Sequence, residues 1–198
     1  SVVAVQLKKN MPAVTLPPET RPKGYAFDNN AEAGLVTSAH VEGFFEHSAR
    51  VADQVVAPCS ASRACAEHFV GTLGRKLFRR PLSTEEQSRY ANVITSAPDF
   101  ATGVKLATRT LLASPHFLYR SELGVAQPDG TYRLTGFEVA TALSYSLWST
   151  TPDDTLLDTA AQGKLESRAD VEREARGVDQ GRIVGGAYCH TPAFDNDL

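Results

Sequence analysis

The sequence predicts a mostly α protein: a bundle of about six to eight helices, with a Pro-rich N-terminal segment and an irregular C-terminal tail. Three observations carry that prediction. Apolar residues recur at helical spacing through most of the chain, as at Cys65, Phe69, Leu73 and Leu77. Reciprocal start signals precede several of these runs, with Ser83 three residues before Glu86 and Thr135 three before Glu138. Prolines and glycines then punctuate the runs, at Pro81, Pro98, Pro115, Gly124 and Gly163.

Taken in order, residues 1–36 contain "LPPETRPKG" and read as extended or irregular, with a candidate strand at Val2–Leu7. Thr37 or Ser38 can cap a helix to about Val56. Its apolar stripe is Val41, Phe44, Phe45, Ser48, Val51, Ala52 and Val55, with Glu42, Glu46 and Asp53 opposite. A second helix follows Ser62 and ends in "RKLFRR", where cations suit the helix dipole. The Ser83 box opens a third helix to about Ser96, and Pro98 with Asp99 opens a fourth with Phe100, Val104, Ala107 and Leu111 inward. Pro115 permits a short fifth helix, "HFLYRSEL", closed by Gly124; these elements make up a first helical half, residues 37–124.

Asp129-Gly130 then supports a hairpin. A second half, residues 131–175, is expected to pack on the first. Its opening helix, "GFEVATALSYSLWS", is apolar almost all round and is expected to be central. Thr151, Pro152, Asp153 and Asp154 supply a cap, a proline at the first position and an acidic first turn. Ser167 with Asp170 begins one more helix. Residues 176–198 form a Gly-rich tail without helical periodicity.

Composition bounds the function more than it names it. The 198 residues carry a formal charge of -3, which gives no reason to expect a nucleic acid partner. No apolar run approaches the ~20 residues of a membrane span. The first residues lack the pattern of a signal peptide, so either that signal is removed or the chain begins inside a longer protein. Of three cysteines, Cys59 and Cys65 bracket "SASRA" and fit either a small disulfide loop or two reduced core thiols; Cys189 stands apart.

Four segments, "GYAFDNNAE", "LFRRPLSTEE", "LLASPHFLYRSE" and "LSYSLWSTTPDDTLLDTAAQGKL", occur in an order that resembles large bacterial proteins of planctomycetes and myxobacteria. Those proteins carry the neighbouring domains of unknown function 1587, 1595 and 1592, often with a c-type cytochrome domain. The resemblance spans roughly Pro17 to Ala175. It implies a secreted or periplasmic setting, which favours the Cys59–Cys65 disulfide, and it supplies no catalytic residues. The chain has no CxxCH and so no covalent haem of its own. The absent later domains and the change of character near Arg176 suggest a truncated fragment.

Candidate chemistry gathers at the first helix. His40 and His47 share one face, and Asp28, Asn29, Asn30 and Glu32 lie just upstream. Seven residues rise ~10.5 Å along a helix, too far for one ion to bind both histidines unaided, so each needs partners from elsewhere. The enzymatic reading is a metal-assisted hydrolase of ester or phosphoester bonds, acting on a small-molecule or polymer substrate. Asp28, His40 and His47 would hold zinc or calcium, with Glu46 and His47 at the chemistry and Arg79 or Arg80 anchoring the anion. The competing reading is a non-catalytic helical scaffold that docks a cytochrome, another parent domain or a second copy. Glu67 and His68 read as a surface pair. Arg75, Lys76, Arg79 and Arg80 read as dipole complements paired with Glu85 and Glu86. Asp99, Ser114 and His116 include the residue types of a triad but lack a GxSxG elbow, and Ser114 is more simply a cap. Arg120 and Glu122 read as struts to neighbouring helices.

Overall fold

The computed structural model describes residues 36–56 and 59–179. The Pro-rich segment with its expected strand, Asp28 and its oxygen-rich neighbours, Cys189 and most of the tail lie outside them. Among the described residues the fold is mostly α, with eight helices and one two-stranded hairpin. The helices are α1 (Ser38–Ala52), α2 (Arg63–Phe78), α3 (Thr84–Thr95), α4 (Phe100–Leu112), α5 (Pro115–Leu118), α6 (Gly136–Trp148), α7 (Asp154–Ala161) and α8 (Arg168–Asp179). The strands β1 (Val125–Ala126) and β2 (Tyr132–Arg133) pair antiparallel, Val125 opposite Arg133. The described residues divide into two compact units, 36–77 with 81–119, and 78–80 with 120–179.

In the first unit α4 packs against both α1 and α3. Val104, Ala107 and Leu111 on its inward face are fully buried, as the stripe predicts. Ala91 and Ile94 of α3, Val51 and Ala52 of α1, and Ala66, Phe69 and Val70 of α2 add to the unit's buried apolar set. The approach of α3 to α4 is set by Gly103. A Cβ there would stand 2.7 Å from the Ile94 Cα and closer still to its carbonyl oxygen. Backbone cannot swing aside, so only glycine permits this helix pair.

In the second unit α6 packs against α7 and α8. Ala140, Leu156, Ala160 and Leu165 form its core, flanked by Phe137, Val139 and Leu143. The α6 helix is less central than its composition predicts. Ala140, Thr141 and Ser144 are buried, while Leu147 is 49% exposed.

Four boundaries differ from expectation, each for a local reason. Helix α1 stops at Ala52, where bonds from Gln54 N–H to Val51 O and from Val55 N–H to Ala52 O tighten the end and turn Val55 inward. Helix α5 is one turn long, because the Leu123 and Gly124 N–H groups donate to the Glu138 carboxylate. The cap of α7 is Asp153, accepting from Leu156 N–H, so Thr151 and Pro152 precede the helix. Helix α8 runs past Ala175 to Asp179. Its Arg173–Asp170 and Arg176–Glu172 pairs support helical backbone where the apolar pattern fades.

Replacing Gly103 with alanine should lower stability by about 1–3 kcal/mol through overpacking against backbone. Gly71→Ala is the control. It meets only the Gln87 amide end at 3.1 Å, and alanine gains about 1 kcal/mol of helix propensity. Urea unfolding of both variants checks the contrast, and equal losses would refute it.

Candidate functional site

Of the residues singled out at the first helix, the structure describes His40, Glu46 and His47, and each has its own surroundings. His40 occupies the third position of α1, where a capping box normally has Glu or Gln. Its Nδ1 accepts from the Thr37 N–H at 3.2 Å and contacts the Thr37 hydroxyl at 2.7 Å. In a neutral imidazole that lone pair is the one a metal would otherwise use. Glu46 is exposed and pairs with Arg50 at 3.4 Å, one turn on. His47 is half-buried on the same helix. Asp28 lies outside the described residues. Among the described residues no group of three His, Cys, Asp or Glu is placed to hold a metal ion.

The other polar candidates take up separate tasks. Asp99 caps α4, accepting from the Thr102 N–H and hydroxyl at 2.8 and 2.7 Å. Those bonds, the backbone one foremost, hold its carboxyl below the usual range. Ser114 caps α5 through the His116 N–H. Glu67 pairs with Arg63 rather than His68, and Arg63 also reaches Asn92 and Ser88 of α3. Glu85 pairs with Arg89 of its own helix. Glu86 closes the α3 capping box with Ser83 and stands 3.6 Å from His116 Nε2. Thus "LFRRPLSTEE" and "LLASPHFLYRSE" meet at a carboxylate and an imidazole.

A further cluster belongs to the second unit. Arg79 is only 5% exposed and has a left-handed backbone, φ 58. Its guanidinium donates to the Tyr145 hydroxyl, and the Arg120 guanidinium lies over the Tyr145 ring, 4.6 Å from its centroid. Burial draws Arg79 below its ordinary pKa; Tyr145 opposes this, and the nearby Arg120 adds to it. Arg79 was predicted as an anion anchor and Arg120 as a strut. The structure joins both to Tyr145 of α6. Its phenol is the available signal, because a half-buried tyrosine hydroxyl seeks a partner.

Glu138 is a carboxylate with four donors. It accepts from Leu123 N–H (2.8 Å), Gly124 N–H (3.0 Å), Thr135 N–H (2.7 Å) and the Thr135 hydroxyl (2.8 Å). Burial pushes its carboxyl up, yet these donors together hold it below the ordinary range. One side chain therefore caps α6 and fixes the chain entering β1.

Chemically, these features define a helical module whose polar residues hold helix ends and chain crossings. Residues 65–122 match the family model described as PSD5, protein of unknown function (DUF1595), and residues 134–179 match PSD4, protein of unknown function (DUF1592). Two neighbouring stretches of the chain are thus similar to domains of unknown function. No curated protein and no solved structure matches it.

A carboxylate depressed by folding stabilises above its unfolded pKa, about 4.3 for Glu, and loses that contribution as pH falls through the folded value. Glu138→Gln should therefore cost about 1–2 kcal/mol at pH 7. At pH 3 the variant should approach the wild type. Urea midpoints at the two pH values check this, and a gap that persists or widens in acid would refute it.

Proposed function

We propose that this chain is a non-catalytic helical module and that the exposed apolar end of α1 docks a neighbouring domain of the parent polypeptide. One observation carries the reading. The α1 stripe runs Val41, Phe45, Ser48, Ala52 along one face; Ser48 and Ala52 are buried, whereas Val41 and Phe45 are 40% and 45% exposed. Among the described residues, the start of the α1 apolar face is thus left exposed. Glu42 and Glu46 each follow one of these residues by a single position, Glu46 paired with Arg50, so the edge at Glu42 suits an apolar patch that carries Lys or Arg. The resemblance to proteins with a c-type cytochrome domain makes such a domain the occupant of choice. A secreted or periplasmic setting is supported by the Cys59–Cys65 disulfide. No helix among the described residues is long and apolar enough to cross a membrane.

Support for the metal-assisted hydrolase, with zinc or calcium on Asp28, His40 and His47, is the sequence grouping alone. Elemental analysis of the purified chain before and after His47→Ala is its direct check. One divalent ion per chain, lost in the variant together with esterase or phosphoesterase activity, would establish it.

For docking, Phe45→Glu should leave the urea midpoint close to wild type, since surface changes stay within about 0.5 kcal/mol. It should abolish binding to a basic c-type cytochrome measured by calorimetry at low salt. Wild-type binding should weaken as salt screens the edge at Glu42. Absence of wild-type binding would reject the cytochrome. Concentration-dependent dimerisation abolished by Phe45→Glu would assign the face to a second copy instead.

A further inference from the structure

The Cys59–Cys65 disulfide closes a short loop, its Cα atoms 6.0 Å apart at a sequence separation of 6. Its two ends differ. Cys59 is exposed ahead of α2, whereas Cys65 is only 6% exposed and sits in the first turn of that helix. The Cys65 N–H donates to the Ser62 hydroxyl at 3.1 Å. Attack by a thiolate follows the S–S axis and needs access to one sulfur, with the other as leaving group. Access selects Cys59 as the attacked sulfur. Negative charge then develops on Cys65, beside the amide groups of a helix start with no acidic residue in its first turn, where Arg63 is already paired with Glu67. A helix N-terminus stabilises a thiolate, and a stabilised leaving group departs faster.

The start of α2 also has anchors besides the disulfide. Arg63 bonds Asn92 and Ser88 of α3, the Gln87 amide donates to Glu67 O at 3.0 Å, and Ala66, Phe69 and Val70 are buried. Opening the disulfide would leave these contacts in place.

We propose that Cys59–Cys65 is a thiol-exchange site for a low-molecular-weight thiol of the glutathione class. The thiolate attacks Cys59 Sγ, forming a mixed disulfide. The Cys59–Cys65 bond breaks, and its electron pair leaves on Cys65 Sγ, which takes up a proton from water. A second thiolate attacks the external sulfur of the adduct, releasing Cys59 as a thiol and the two small thiols as their own disulfide. Two electrons pass from two thiols to one protein disulfide.

The test uses the full chain with Cys189→Ser, exposed to reduced glutathione in native buffer, quenched by alkylation and mapped by mass spectrometry. The glutathione adduct should sit on Cys59 at least tenfold over Cys65, with the helical circular dichroism unchanged. A disulfide that resists glutathione until denaturant is added overturns the proposal, as does an adduct chiefly on Cys65. The Cys59→Ser, Cys65→Ser double variant supplies an independent measurement. It should keep its helical content and a single cooperative melt, and loss of the fold at 25 °C would overturn the exchange role.

Discussion

Burying a guanidinium is costly unless its donors are met, and the arrangement around Arg79 follows from meeting them. The residue ends α2 in a left-handed conformation that glycine usually supplies. That choice costs an L-residue about 1–2 kcal/mol. Donation to Tyr145, whose ring also carries Arg120, offsets part of the cost of strain and burial. Arg80 lies over the Phe78 ring, 5.6 Å from its centroid. Pro81 follows, the helix cannot resume, and Ser83 restarts the chain as α3. The run "LFRRPLS" therefore acts as one device for stopping, anchoring and restarting the backbone.

Helix starts were legible in the sequence because their physics is local. Ser83, Asp99, Ser114, Thr135 and Ser167 each bond a backbone amide two or three residues on, so a short window holds the whole interaction. The inward face of α4 was legible for the same reason, through its 3.6-residue period. What escaped depends on groups distant in sequence. Nothing near Leu123 announces that its N–H will seek Glu138, so α5 was expected to run longer. Nothing near Arg79 names Tyr145. The apolar pattern of α1 marked Val41 and Phe45 as inward, but periodicity cannot say where a packing partner ends.

The candidate chemistry divides in the same way. Several residue types competent for catalysis fall at helix ends, where those types are also most useful as caps. His40, Asp99, Ser114 and Glu138 take that second use. The local bonds fix the helix ends of each unit, α1 leaves Val41 and Phe45 exposed, and the disulfide joins exposed Cys59 to buried Cys65.

The central claim is that the polar constellation is structural. Arg79 tests it most directly, because charges kept for function are usually neutral or costly to stability. Urea unfolding of Arg79→Met, Tyr145→Phe and the double variant is the decisive measurement. A strut predicts that Arg79→Met loses about 1–3 kcal/mol, the worth of a hydrogen bond from a charged donor. It also predicts that the two losses combine non-additively, by about 0.5–3 kcal/mol. An Arg79→Met protein as stable as wild type or more so, with additive effects, would contradict the account and return Arg79 to the role of an anion anchor.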